Sequence, residues 1–310
     1  MTVEERIPGC ENQNFLDRLH IGTHNVQGIN IALKYRNWIE YCNENEIHII
    51  SMTKTKIVES SNYKLYLANP YYDVYTANSN DEVINKQESS MGTMIAVKKT
   101  IQPFIHNIMS SPGTAVAIDF FFPLNQRIRI ISVYMPNNNN ELKQATCKKI
   151  KEWMRQAMAK NYEIIILGDF NHDRVRDRKK PMMLFNEMEQ VGMVSLMKYF
   201  DKKEETWSRE GKKSQIDDIY VSNNMLIVIT APKIVNVEEI TNSDHRMIVT
   251  EWQMNARVKQ YRAKKKKRLI YLYGEMNEEK WNDFTDKIEV EITKDNKMEQ
   301  EITTVDALNK

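Results

Sequence analysis

Apolar positions recur along this chain with two periods, and the alternation between them predicts its elements. The segment IGTHNVQGI from residue 21 reads as a strand, and IALKYRNWIEYCNENE places Leu33, Trp38, Ile39 and Cys42 at helical spacing. IHIISM is a short buried strand. YYDVYTA, GTMIAVKK, AVAIDFFF and RIRIISVYM follow, rich in β-branched and aromatic residues, as neighbouring antiparallel strands. The polar NNNNELK then opens a helix carrying Ala145, Ile150, Trp153, Met154 and Ala157, and YEIIILGDF is a continuous apolar run that stops at a glycine and a carboxylate. Such a run is a buried strand delivering its last residues to a rim. PMMLFNEMEQVGM is helical with a Gly stop, while ETWSREGKKSQIDDIYVS and HRMIVTEW each read as a strand.

The regularity ends near Gln253. This places an N-terminal extension at 1–19, one domain at 20–253 and a tail at 254–310, in which a basic linker leads to a short amphipathic helix around Trp281 and Phe284 and then to a frayed end. The composition, 41% hydrophobic and 28% charged, supports a substantial core, and no apolar run approaches the roughly 20 residues that span a bilayer. The polar N-terminus lacks the basic-then-apolar order of a secretory signal, which predicts an intracellular protein, nuclear or cytoplasmic, and not a secreted one. Cys10, Cys42 and Cys147 are scattered and odd in number, and read as reduced thiols. A net charge of +2 does not by itself announce a polyanionic partner.

Three segments carry candidate chemistry. In Leu167-Gly168-Asp169-Phe170-Asn171 a carboxylate and an amide stand two positions apart at a strand end, so both can face one way; a local turn is the plain alternative. In Gln215-Ile216-Asp217-Asp218-Ile219, alternation sends the two acids to opposite faces, and a buried one needs a partner such as a histidine or a metal ion. In Ser243-Asp244-His245 a carboxylate adjoins an imidazole and can fix its tautomer; a strand-capping loop would look the same. Just after Asn171, the cations Arg174, Arg176, Arg178, Lys179 and Lys180 can track phosphates or form a solvated loop. A second cluster, with seven cations between Lys259 and Arg268, suits nucleic acid, nuclear import, an anionic surface or a linker.

Taken in order, Asn25 in HNVQGI, Tyr134 in VYMP, Asp169 and Asn171 in GDFN, Asp217 in QIDD and Asp244-His245 in SDH resemble the endonuclease/exonuclease/phosphatase superfamily. Within it they look most like the apurinic endonucleases and the endonuclease domains of LINE-type retroelements. The resemblance implies an α/β fold, a four-layer DNase I-like sandwich of two mainly antiparallel sheets flanked by helices. It implies a Mg²⁺-dependent hydrolase of phosphodiester bonds, with Mn²⁺ as the substitute ion and nucleic acid, DNA first, as the partner. His245 would bind or protonate around the scissile phosphate with Asp244 orienting it. Asp169 would activate water, Asn171 and Tyr134 would stabilise phosphate oxygens, and Asp217 would support the network through His245. Asn25 and Asp244 would hold the metal ion. The basic tail would begin a connection to a following domain.

One position departs from the family. Its metal-binding Glu follows the strand matched by IHIISM, and here Lys54 stands there. An ammonium in place of a carboxylate removes a donor and repels a dication. Three readings stay open: a nearby acid (Glu44, Glu46 or Glu59) substitutes; the ammonium meets phosphate directly; or the chain is a decayed copy that binds nucleic acid without cutting it. A small-molecule phosphatase is a further alternative.

Overall fold

The structure is a computed structural model in which residues 17–57, 68–78, 91–177, 182–254 and 277–294 are described. The chain divides into two units, one ending at Tyr261 and the other beginning at Arg262. In the second, a helix covers Glu278–Lys294, longer than the short helix expected, and its Trp281 is 42% exposed. The remainder of the 254–310 tail, with its basic cluster, lies outside the described residues, as do Cys10 and most of the 1–19 extension.

The first unit opens with β1 (Arg18–Asn25), α1 (Ala32–Glu44), β2 (Ile47–Thr53), β3 (Tyr72–Ala77) and β4 (Thr93–Lys98). The next strands are β5 (Ile105–Ser111), β6 (Ala115–Phe122) and β7 (Gln126–Tyr134), followed by α2 (Asn140–Ala159), β8 (Glu163–Asp169) and α3 (Met183–Gln190). The last part holds β9 (Met193–Ser195), α4 (Leu196–Tyr199), the hairpin β10 (Trp207–Arg209) and β11 (Lys212–Ser214), β12 (Asp217–Ser222), β13 (Lys233–Val235), α5 (Glu238–Thr241) and β14 (Met247–Gln253). Two six-stranded sheets result, in the orders β13-β14-β1-β2-β4-β3 and β5-β6-β7-β8-β12-β9. Each contains one parallel pair, β1 with β2 and β7 with β8, and is otherwise antiparallel.

Three apolar clusters separate four layers. Leu19, Ile21, Ile49 and Ile95 of the first sheet meet Val116, Ile130, Ile165 and Ile219 of the second between the sheets. Trp153 and Met154 of α2 and Leu184 of α3 cover the outer face of the second sheet, and Trp38 and Cys42 of α1 cover that of the first. The unbroken apolar run in β8 follows directly: Ile165 and Leu167 face the inter-sheet core, while Ile164 and Ile166 face the helices.

Several sequence expectations need correction. The four strands after IHIISM are not one antiparallel set: β3 and β4 belong to the first sheet, and β6 and β7 to the second. β5, with exposed or half-buried residues throughout, has no apolar alternation to betray it. The segment around residues 205–222 forms three strands, because Gly211 at φ +76 turns β10 into β11. On α1 Tyr35 is buried and Leu33 is 64% exposed; on α2 Thr146 takes the buried position and Ala145 faces solvent. Cys42 and Cys147 are free thiols, and burial pushes both up in pKa, which keeps them protonated.

Candidate active site

Topology collects the chemistry at one rim. β1 and β2 run parallel, so Asn25 and Lys54 arrive together; β14 is antiparallel to β1, so its start brings His245 to the same edge. In the second sheet β7 and β8 run parallel and β12 runs against them, and the register places Tyr134 and Asp217 on either side of Asp169. Asn25, Asp169, Asp217 and His245 are each at most 2% exposed.

Close backbone packing delivers Asp169. Gly168 has φ +148, and a Cβ there would lie 1.9 Å from the Val133 carbonyl oxygen, so only glycine lets β8 approach β7 this closely. Asp169 Oδ1 accepts from the Asn171 backbone N–H at 2.8 Å, and Oδ2 accepts from Asn25 Nδ2 at 2.7 Å. The Asn25 amide also lies 3.1 Å from His245 Nε2, which joins the ends of the two sheets. On its far side, His245 Nδ1 is 2.8 Å from Asp217 Oδ2. Thr206 Oγ1 accepts from the backbone N–H groups of Ile216 and Asp217 at 3.0 Å each, fixing the entry to β12.

These contacts assign roles differently from the sequence reading at one point. Asp217, and not Asp244, orients His245: Asp244 Oδ1 lies 3.7 Å from the opposite ring nitrogen, is 17% exposed, and is held by the Gln27 side chain. Asn171, at φ +48, turns its Nδ2 onto the Met135 carbonyl at 2.7 Å and hydrogen-bonds Tyr134, whose hydroxyl burial and the Asp169 charge push above the usual tyrosine range. Gln27, Ser243 and His24 were not anticipated. Ser243 Oγ donates to the Asn25 carbonyl at 2.5 Å, and His24 Nε2 sits 3.2 Å from the His245 carbonyl. Burial, with the charges of His245 and Lys34, lowers His24 to about 3, so it stays neutral. His24 and Ser243 adjoin a motif residue in sequence and Gln27 lies two positions from Asn25, which is the one signal that could have found them.

The electrostatics suit proton transfer. Burial and repulsion from Asp217 raise Asp169 to about 6, against the pull of His245 and Lys54. Burial favours neutral His245, but Asp217, through charge and hydrogen bond, and Asp169 outweigh it, and the net shift is upward. With Nδ1 engaged by Asp217, Nε2, which lies 3.1 Å from the Asn25 amide, is the ring nitrogen left to exchange a proton at the rim.

Other candidates are engaged elsewhere. Arg174 pairs with Glu189 and donates to Tyr220 Oη at 2.8 Å, and Arg176 pairs with Asp177 at 3.0 Å and with Ser214. Arg178, Lys179 and Lys180 lie outside the described residues. Asp218 faces away from the rim, accepts from Ser195 Oγ at 2.6 Å, and is raised by burial to about 6. It borders a cavity of about 780 Å³ that also touches His172, Lys202 and Gln215 but none of the rim residues.

The comparisons with known proteins follow this geometry. Residues 128–249 match the family described as endonuclease-reverse transcriptase. That segment holds Tyr134, Asp169, Asn171, Asp217, Asp244 and His245, so the match falls on the motifs that resemble the endonuclease/exonuclease/phosphatase superfamily. Similar solved structures include the AP endonuclease LMAP from Leishmania major, with 15% identity and a TM-score of 0.63 over 76% of this chain and 88% of that one. The endonuclease domain of TRAS1, a telomere-specific non-LTR retrotransposon, gives 15% identity and a TM-score of 0.56 over 76% and 99%. The 3′ phosphatase NExo from Neisseria, bound to a product DNA hairpin, gives 13% identity and 0.56 over 76% and 99%. These likenesses carry the DNase I-like fold. No protein of curated function matches the chain.

The resemblance to that superfamily implies a divalent metal ion. Asp169, Asp217 and His245 are the candidate group, with ligand atoms within 4.8 Å of one another, and Asp217 Oδ1 is buried without a partner. The fit is nonetheless poor for a hard dication, which needs six or more oxygens. Both Asp169 oxygens and the second Asp217 oxygen are already hydrogen-bonded, and Asn25 Oδ1 accepts from the Gln27 N–H at 3.1 Å. Lys54 directs positive charge at Asp169 and His245. Two unit charges about 4 Å apart interact by about 4 kcal/mol at an effective dielectric of about 20, and a dication doubles that repulsion. Glu44 and Glu46 offer no replacement, because they precede β2 and lie about 20 Å from its far end; Glu59 lies outside the described residues.

Proposed function

We propose that this protein binds nucleic acid, DNA in the first instance, across the rim formed by Asn25, Asp169 and His245, and acts there on a phosphodiester bond as an endonuclease-type hydrolase. The observation that carries this reading is the buried chain Asp169, Asn25, His245, Asp217, in which a carboxylate with a raised pKa and an imidazole are joined through one amide where the strand ends of the two sheets meet. Asp169 would take a proton from the attacking water; His245 Nε2 would hold or supply a proton at the phosphate; Asn25, Asn171 and Tyr134 supply neutral donors for developing oxyanion charge. The family match and the DNA held by the similar Neisseria enzyme support a nucleic-acid substrate and a retroelement-like origin.

A second reading, binding without cleavage, is favoured by Lys54 and by the poor fit for Mg²⁺ or Mn²⁺. Supercoiled plasmid, with and without each ion, separates the two. Nicking that disappears in Asp169→Ala and His245→Ala supports the hydrolase. Retention of plasmid without nicking supports the binding protein. Phosphate release from small phosphomonoesters, with indifference to DNA, overturns both.

A further inference from the structure

We propose that the Lys54 ammonium is the resident cation of this site, and that the protein binds a backbone phosphate through it without a divalent metal ion. This rests on the reading that DNA is the ligand.

The Lys54 side chain is aimed, not loose. It leaves β2 from a left-handed backbone, φ +51, locked because the Gly28 N–H donates to the Lys54 carbonyl at 2.7 Å and the Thr55 N–H donates to Gly92 O at 3.1 Å. The half-buried chain carries Nζ to 5.6 Å from the centroid of the Tyr134 ring, beside the strand end that bears Asp169. Its charge reaches both Asp169 and His245. Among the described residues Lys54 makes no ion pair, in contrast to Arg174, Arg176 and Lys213, so its donors are available to a ligand.

Lys54 brings its charge to three carboxylates, the buried Asp169 and Asp217 and the partly exposed Asp244, which lies 3.7 Å from His245 Nε2. Two more lysines stand close by, so a phosphodiester entering beside Lys54 meets a cluster of cations. Lys56, also at positive φ (+55), lies over Gly28, where a Cβ would come within 3.0 Å of its Cδ. Lys34 Nζ donates to the Val26 carbonyl at 2.9 Å, and burial and the Lys56 charge both depress its pKa. Lys34, Lys54 and Lys56 therefore line one side of the rim with cations that pair with no carboxylate among the described residues. A lysine serves as a point-charge phosphate binder and needs no ideal coordination shell.

The test uses the full chain, a fluorescein-labelled DNA duplex and anisotropy in EDTA. The parent is expected to bind with an affinity that added Mg²⁺ does not improve. Lys54→Gln should weaken binding at least about tenfold and reduce the slope of log K against log salt by about one unit, the share of one phosphate contact. Lys54→Arg should keep most of the affinity, and thermal melts of both variants establish that they fold. Mn²⁺ electron paramagnetic resonance should detect tight binding in Lys54→Glu and not in the parent. Equal binding of the parent and Lys54→Gln in EDTA, or tight Mn²⁺ in the parent, overturns the inference while leaving the DNA reading intact. Failure of the parent to bind duplex under any condition overturns both.

Discussion

His245 Nδ1 and Asp217 Oδ2 lie 2.8 Å apart, and both side chains are almost wholly buried. A carboxylate so placed fixes the proton on Nδ1, raises the basicity of the ring and leaves Nε2 for the reaction. Asp217→Asn keeps the shape and removes the charge. The expected result is a fall of at least about 100-fold in any nicking activity, within the range for loss of a general acid–base group. The His245 pKa should also fall by at least about one unit, read from ring-nitrogen shifts in ¹⁵N NMR, because burial then acts with less opposition. A slower enzyme with an unmoved histidine pKa would assign Asp217 a purely structural role.

Asp169 sets the acid side of the pH profile. Its pKa of about 6 means that the proton acceptor is lost as pH falls through 6, so cleavage should drop about tenfold per unit below that value. Stability runs the other way. A carboxylate whose folded pKa lies above its unfolded value binds more protons in the folded state, so unfolding free energy decreases as pH rises from about 4 to about 6. Asp218, also raised to about 6, contributes in the same direction. Chemical denaturation across this window should show a shallower decline for Asp169→Asn than for the parent; identical slopes would place the Asp169 pKa near its ordinary value.

The motifs were legible because each lies at one end of a strand. GDFN ends a run buried on both faces, QIDD opens one, and SDH precedes one, so period and punctuation located their residues before any contact was known. The sequence could not tell which acid faces His245. Asp244 is its neighbour along the chain, whereas Asp217 reaches it only because β12 and the start of β14 come to the same rim. The same limit hid the fate of Arg174: its capture by Glu189 depends on packing between a loop and α3. Edge strand β5 escaped notice because a strand exposed along its length carries no apolar alternation. Lys54 was visible as a chemical misfit, but its aim toward Tyr134 depends on a left-handed backbone that lysine seldom adopts.

A buried ion pair outside the site offers an independent check on the second sheet. Arg129 Nε and Nη2 donate to the two Asp119 oxygens at 2.6 and 2.7 Å, and Nη1 donates to the Trp153 carbonyl at 2.7 Å, with both side chains 1% exposed. Arg129→Leu leaves Asp119 buried and unpaired and should cost about 3–5 kcal/mol. Asp119→Leu/Arg129→Leu removes the orphan charge and should recover most of that loss, since the Trp153 carbonyl lies inside α2 and keeps its place in the helical hydrogen bonding. Urea denaturation of both variants tests this, and a double variant no more stable than the single would show that the pair contributes beyond mutual neutralisation.

Gly168 tests whether the placement of Asp169 depends on backbone proximity. A methyl group at this position would meet Val133 O at 1.9 Å and Val133 C at 2.8 Å, both backbone atoms of β7, and the φ of +148 is one that an L side chain rarely adopts. No rotamer change can relieve a clash with a neighbouring strand, so either β8 moves away from β7 or the residue leaves its conformation. Either movement displaces Asp169, which is the next residue and pairs with Tyr134 across the same two strands. Gly168→Ala should therefore destabilise the domain by more than about 3 kcal/mol, at the upper end for a single substitution. Any folded fraction should lose activity and, in ¹⁵N spectra, show altered His245 ring shifts through the Asn25 link. Gly192→Ala serves as the comparison: its φ of +77 is also positive, but nothing lies within 4 Å of an added Cβ, so it should cost only about 1 kcal/mol and leave the site unchanged. Comparable losses in the two variants would mean that backbone conformation alone, and not the approach of β8 to β7, makes glycine necessary before Asp169.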